Sequence, residues 1–169
     1  MATTTRILVA TEGARACFRV RGRGDFRASE DLRAAIRHLR AHGAEAFCFD
    51  LTDCGALDST FIGVMAGPLR RLPDVPNGER TCRVTVHGIS PHLRETLDDM
   101  GIAPLVQFVE TTGFEGGFAE TEPQQASKTD LARASIEAHE NLMALDPTRN
   151  ETRFRDVVNY LRDEARDRG

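Results

Sequence analysis

Basic charge is scarce in this chain. Its 26 acidic residues outnumber 22 Lys and Arg, for a net charge of −4 and a pI near 5.7, which argues against a nucleic-acid-binding domain with its basic face. No stretch approaches the roughly 20 apolar residues of a membrane span, and the N-terminus lacks a charged-then-apolar leader pattern. A cytoplasmic protein with no membrane or nucleic-acid partner is expected. Tryptophan is absent and aromatics make up 6%, so aliphatic residues carry most of the periodicity that marks the elements. Cys17, Cys48, Cys54 and Cys82 form no CxxC pair, and three of them fall in expected strands. They read as reduced core residues, with zinc the lesser alternative. There is no GxSxG elbow, no glycine-rich Walker loop and no metal-ligand cluster. These absences point away from an enzyme, a metal site and a cofactor.

What is present is organised around residues 47–72. Phe47, Phe49 and Leu51 alternate as in a half-buried strand, read as 46–51. A turn is expected at Asp53–Cys54–Gly55. Asp58, Ser59 and Thr60 then stand directly before an apolar run in which Ile62, Met65, Ala66 and Leu69 recur at helical spacing. Their side-chain oxygens suit the free N–H groups of a helix start. Ser59 is therefore expected at a strand-to-helix junction, its hydroxyl facing solvent near the positive end of a helix dipole, where a phosphate can be held. Pro68 predicts a kink near Val64 or a helix in two pieces.

The DSTFIG segment resembles the motif of the STAS domains, typified by bacterial anti-sigma factor antagonists. The resemblance implies that Ser59 is the site phosphorylated by a partner kinase, with Asp58, Thr60 and Gly63 matching the residues around it. Phe61 departs from the pattern, standing where many members carry a glycine, and is expected to place a bulky side chain beside the docking surface. The implied partner-binding set is Asp58, Ser59, Thr60, Phe61, Ile62 and Gly63.

The flanking elements agree with that resemblance. Residues 5–11 and 14–22 read as strands joined at Glu12–Gly13, with Ala16, Phe18 and Val20 on one face and Arg15, Arg19 and Arg21 on a solvated one. Gly22 to Phe26 is a glycine-and-aspartate turn of the STAS kind. Ser29 suits the N-cap of a helix over 29–42 with Leu32, Ala35, Ile36 and Leu39 inward. His38 and His42 lie at i, i+4 but lack a third ligand, so they are read as surface residues. Pro73 to Gly78 is a loop, residues 81–87 a strand, and 90–100 a helix capped by Ser90 with Pro91 at its first position. A last strand is expected over Leu105–Val109. The expected fold is thus α/β: a STAS-like domain, a mixed sheet of four or five strands flanked by helices, over residues 1–112. A linker follows over 113–127, then a helical extension over 128–169. Its first helix carries Leu131, Ala138, Leu142 and Leu145 on one stripe. A second, capped by Asn150, carries Phe154, Val157, Val158 and Leu161.

The favoured function is an anti-sigma factor antagonist-like signalling module. It would bind a serine kinase-type anti-sigma factor, be reset by a PP2C-type phosphatase, and be switched by phosphate on Ser59. The alternative is an unphosphorylated STAS scaffold in a stress-signalling or transport complex, in which Asp-Ser-Thr merely caps a helix. The helical stripes are too short to stand alone. The hairpin docks on its own domain in the favoured reading, and on a partner or a second copy, as in a homodimer, in the other. A chain ended after Thr112 is therefore expected to melt lower or lose solubility; unchanged melting and solubility would assign the hairpin to a partner.

Overall fold

The alternation along Arg15–Gly24 sets the sheet. This strand (β2) pairs antiparallel with β1, Arg6–Glu12, across a tight turn in which Gly13 has φ 59°. On its other side it pairs parallel with β3, Ala46–Asp50. A computed structural model describes residues 4–70 and 81–168; the loop expected over Pro73–Gly78 lies outside the described residues. β3 lies inside the sheet, between β2 and β5, Arg83–His87, and β6, Gln107–Val109, follows on the far side of β5. Phe18, Phe47 and Phe49 are all but fully buried, and Phe18 stacks on the other two at 6.2 and 5.7 Å between ring centroids.

Two further strands exceed the expected four or five. Cys54–Leu57, read as part of a turn, forms β4 and pairs parallel with the end of β2. Ala119–Glu120, read as linker, forms β7 and pairs with β1. The arginine face of β2 is also not simply solvated. Arg15 lies over the Phe114 ring at 4.8 Å and Arg19 over Phe118 at 4.0 Å. The two guanidinium–ring contacts hold the 113–120 segment against the sheet.

The first helix starts earlier than expected. α1 runs over Phe26–Ala41 with Asp25 as its N-cap, its carboxylate accepting from the Arg27 and Ala28 amides. Ser29 lies inside the helix, buried, its hydroxyl donating to the Asp25 carbonyl at 2.9 Å. α2 covers Ser59–Ala66 and gives way to a short 3₁₀ turn, Gly67–Leu69, because Pro68 has no N–H with which to continue. The predicted division into two pieces is thus found, at Gly67 rather than Val64. α3, Pro91–Asp99, is capped by the Ser90 hydroxyl as expected.

The tail folds as a helical hairpin: α4, Lys128–Leu145, and α5, Pro147–Asp167. Asp146 caps α5, whereas Asn150 sits one turn inside it, fully buried, donating to the carbonyls of Met100 and Leu142. Leu142, Phe154 and Val158 are buried, and α4 packs across α1 and α2. Among the described residues no helix is long and apolar enough to cross a membrane.

Arg40 ties α1 to the end of α2. It is 1% exposed and donates to the carbonyls of Gly67 and Arg70 at 3.3 and 3.1 Å. Burial pulls its pKa below the ordinary arginine value. An Arg40→Met substitution keeps the bulk but strands one buried and one part-buried carbonyl. It is expected to lower the unfolding free energy by about 1–3 kcal/mol in urea titration.

Candidate functional site

Ser59 is the first residue of α2, and Asp58 before it caps the helix by accepting from the Phe61 amide at 2.8 Å. Burial pushes the Asp58 carboxyl up in pKa, against the amides of Phe61 and Phe26 that favour its charged form. The Ser59 hydroxyl does not simply face solvent. It lies 2.9 Å from Nε2 of His139, which α4 brings over the start of α2. The other ring nitrogen, Nδ1, is 2.7 Å from the Ser135 carbonyl, an acceptor only, so Nδ1 carries the hydrogen. Nε2 is then the acceptor, and the Ser59 O–H donates to it. His139 is 4% exposed, rests 4.8 Å from the Phe154 ring, and burial holds its pKa below the ordinary histidine value.

The same helix–helix seam engages the neighbours of Ser59. Thr60 is buried with its hydroxyl 3.4 Å from that of Ser135. The Gly63 carbonyl accepts from the Asn141 amide at 3.0 Å, and Arg70 donates to the Asn141 side-chain oxygen at 2.9 Å. A Cβ on Gly63 would come within 2.3 Å of the Ala138 carbonyl oxygen, so the two backbones approach too closely for any side chain there. From α1, Arg33 and Arg37 reach Glu137 at 2.7 and 3.3 Å.

Beside this seam a groove of about 870 Å³ opens between the hairpin and the starts of α1 and α2. Ser59, Thr60 and His139 lie on its wall, with Leu131, Val157 and Tyr160 along it. Phe26, Val157 and Tyr160 are exposed large apolar side chains that line it.

The expected partner-binding set divides. Asp58, Ser59 and Thr60 border the groove. Phe61 does not stand beside a docking surface: it is fully buried, and its ring fills the space that a side chain on Gly24 would need. Ile62 is likewise fully buried, packed with Leu142 in a second apolar cluster. One residue per 100° of helix turns Phe61 toward the sheet while Ser59, Thr60 and Gly63 meet α4. Asp53 pairs with Arg21. The His38 and His42 rings lie 4.2 Å apart, tilted to each other, with the His42 ring bonded to the His38 carbonyl. Among the described residues no group of three or more His, Cys, Asp or Glu could hold a metal ion. His139, Ser135, Asn141 and Glu137 were missed. Their signal was the i, i+4 spacing of Ser135 and His139 beside a stripe otherwise supplied by small residues.

This fold, with the Asp-Ser-Thr junction at the head of α2, defines a STAS domain. A family model described as "Mlab, STAS domain" matches residues 7–107, and the chain belongs to that family. The solved anti-sigma factor antagonist SpoIIAA in its unphosphorylated form is similar, with TM-score 0.52 and 20% identity over 63% of this chain and 88% of that one. An anti-sigma factor antagonist from Mycobacterium paratuberculosis is similar with TM-score 0.52 and 20% identity, over 64% of this chain and 88% of its own. No curated sequence matches.

The histidine gives the seam a pH dependence whose sign follows from its lowered pKa. The folded protein takes up the His139 proton at lower pH than the unfolded chain, so stability is fully present above about pH 6.5 and is lost as pH falls toward the folded value. The bond to the Ser135 carbonyl and the charge of Asp58 oppose the shift only in part. Urea midpoints measured from pH 7.5 to 5 are expected to fall more steeply for the wild type than for His139→Gln; parallel curves would remove His139 as the cause.

Proposed function

We propose that the chain is a partner-binding module of the anti-sigma factor antagonist kind, controlled by phosphorylation of Ser59. The observation that carries this is the position of Ser59: first residue of α2, next to its capping carboxylate and on the wall of an open groove. It acts by binding rather than by catalysis. The partner is a serine kinase-type anti-sigma factor, and a PP2C-type phosphatase restores the free hydroxyl.

The switch is electrostatic. A phosphoryl group brings a charge of about −1.5 to −2. At Ser59 it meets the positive end of α2, which accommodates it within the domain. It also meets the Asp58 carboxylate, and a partner packed over both would bury like charges in contact. Phosphorylation therefore weakens partner binding while the domain stays folded. The competing reading is an unphosphorylated scaffold. It draws on the Ser59–His139 bond, which gives the hydroxyl a structural use.

Phosphate mapping by mass spectrometry on the protein from its own cells separates the two. Phosphate is expected on Ser59 and not on Thr60, whose hydroxyl is buried. Ser59→Asp is expected to keep the fold and weaken binding to the anti-sigma partner by about 1–3 kcal/mol, from carboxylates left unpaired in the interface. Ser59→Ala should retain binding and lose about 0.5–1.5 kcal/mol of stability with the His139 hydrogen bond. Phosphate elsewhere, or undiminished binding by Ser59→Asp, would leave the scaffold reading in place.

A further inference from the structure

The hairpin closes over the Ser59 surface by chemistry unlike that of the domain's interior. The main core draws on residues from Ile7 to Leu93 and takes one from the hairpin, Ala138. The second cluster combines Ile62, Ala66, Leu97 and Ile102 of the domain with Leu142 and Phe154 of the hairpin. Between α4 and the α1–α2 surface, the apolar contacts of Ala138 and Leu142 are joined by a set of polar ones. They are the Ser59–His139 and Thr60–Ser135 pairs, the amide bond to Gly63, and two arginines on Glu137. Small residues sit where the helices cross. A seam that is polar and charged at its margins resembles a separable interface more than a domain core. The family match, moreover, ends at residue 107, before α4 begins.

We infer that α4 occupies in cis a helix-docking surface on α1 and α2, and that a partner binds there by presenting a helix of the same chemistry once the hairpin has swung away. This rests on reading the α2 surface as the partner face. The residues that α4 satisfies describe the helix that can replace it. It carries a small residue over Gly63, where no bulk fits, and an acidic residue opposite Arg33 and Arg37. It also carries an apolar side chain where Leu142 covers Ile62 and Ala66. Departure of the hairpin without replacement would leave that apolar patch in water, so exchange is favoured over simple release.

The connection permits the exchange. Residues 121–127 separate β7 from α4, and the Gln124 amide bonds to the Asp31 carboxylate within them. Seven residues span up to about 24 Å, so a released hairpin stays close and competes at high effective concentration. The apparent affinity of any partner is then reduced by the fraction of chains that are open. The Ser59 hydroxyl, held by His139 when the hairpin is closed, becomes available to a kinase in the open state.

Hydrogen exchange on the full chain, with two variants, tests this. Glu137→Arg sets a third guanidinium against Arg33 and Arg37. Thr60→Cys combined with Ser135→Cys places two thiols where hydroxyls now meet at 3.4 Å, and oxidation bolts α4 to α2. A labelled synthetic peptide of residues 128–145 probes the surface. In the wild type, α4 amides are expected to exchange at least tenfold faster than those of β3. Glu137→Arg should raise that rate a further tenfold and bind the peptide at least tenfold more tightly than the wild type. The oxidised pair should exchange at the β3 rate and bind no peptide, and reduction should restore both. The inference is overturned if α4 exchanges no faster than β3 in both wild type and Glu137→Arg, or if the peptide binds oxidised and reduced forms alike. No readout involves phosphate. A chain never phosphorylated at Ser59 would therefore sink the preceding reading and leave this one standing.

Discussion

Two helix backbones meet at Gly63 and Ala138, and the arrangement around Ser59 depends on that approach. With no side chain on Gly63, α4 comes near enough for Asn141 to reach the Gly63 carbonyl and for His139 to reach Ser59. The spacing that a side chain on Gly63 would force would stretch both bonds past the ordinary range of about 2.7–3.2 Å. The contact therefore sets the chemistry of the site as well as its packing. It also explains why Phe61 is tolerated in this motif. The side chain turns toward the sheet, onto Gly24, and leaves the α4 surface clear.

The domain and its hairpin differ in what holds them. The sheet and its helices are closed by aliphatic and phenylalanine side chains with little polar content, and burial of that kind contributes about 25 cal/mol per Å². The α4 seam adds to the apolar Ala138 and Leu142 a histidine, an asparagine and a glutamate, each satisfied by a partner across it. The net value of such bonds is modest, near 1 kcal/mol each, because water can replace them. Leaving one buried group unmatched costs more than its bond contributes. The hairpin is thus well specified in position without being as deeply committed as the strands beneath it.

Much of the domain was legible in the sequence because its signals were local. Phe47, Phe49 and Leu51 alternate, Ser90–Pro91 announces a helix, and Pro68 ends one. Boundaries failed where two capping residues competed. Asp25 outdid Ser29, and Asp146 with Pro147 outdid Asn150, whose amide was needed inside to reach Met100 and Leu142. β4 and β7 were hidden because each is short and stabilised by its neighbour strand rather than by its own pattern. The site was half legible. The junction at Asp58–Ser59 is contiguous, whereas His139 lies 80 residues away and meets Ser59 only through tertiary packing.

That distance matters for what Ser59 is. A serine at a helix start can cap, bond to water or accept a phosphate, and local sequence favours none of these. Here Asp58 takes the capping task, since its carboxylate binds the Phe61 amide. The serine hydroxyl is thereby released to point at α4. A neutral imidazole then holds it by a single hydrogen bond, the weakest kind of restraint that still fixes a direction. The bond is too modest to lock the hairpin alone, yet it must break before the hydroxyl can take on charge. Division of labour between adjacent Asp58 and Ser59 is what lets one short junction serve as both a helix cap and a contact to α4.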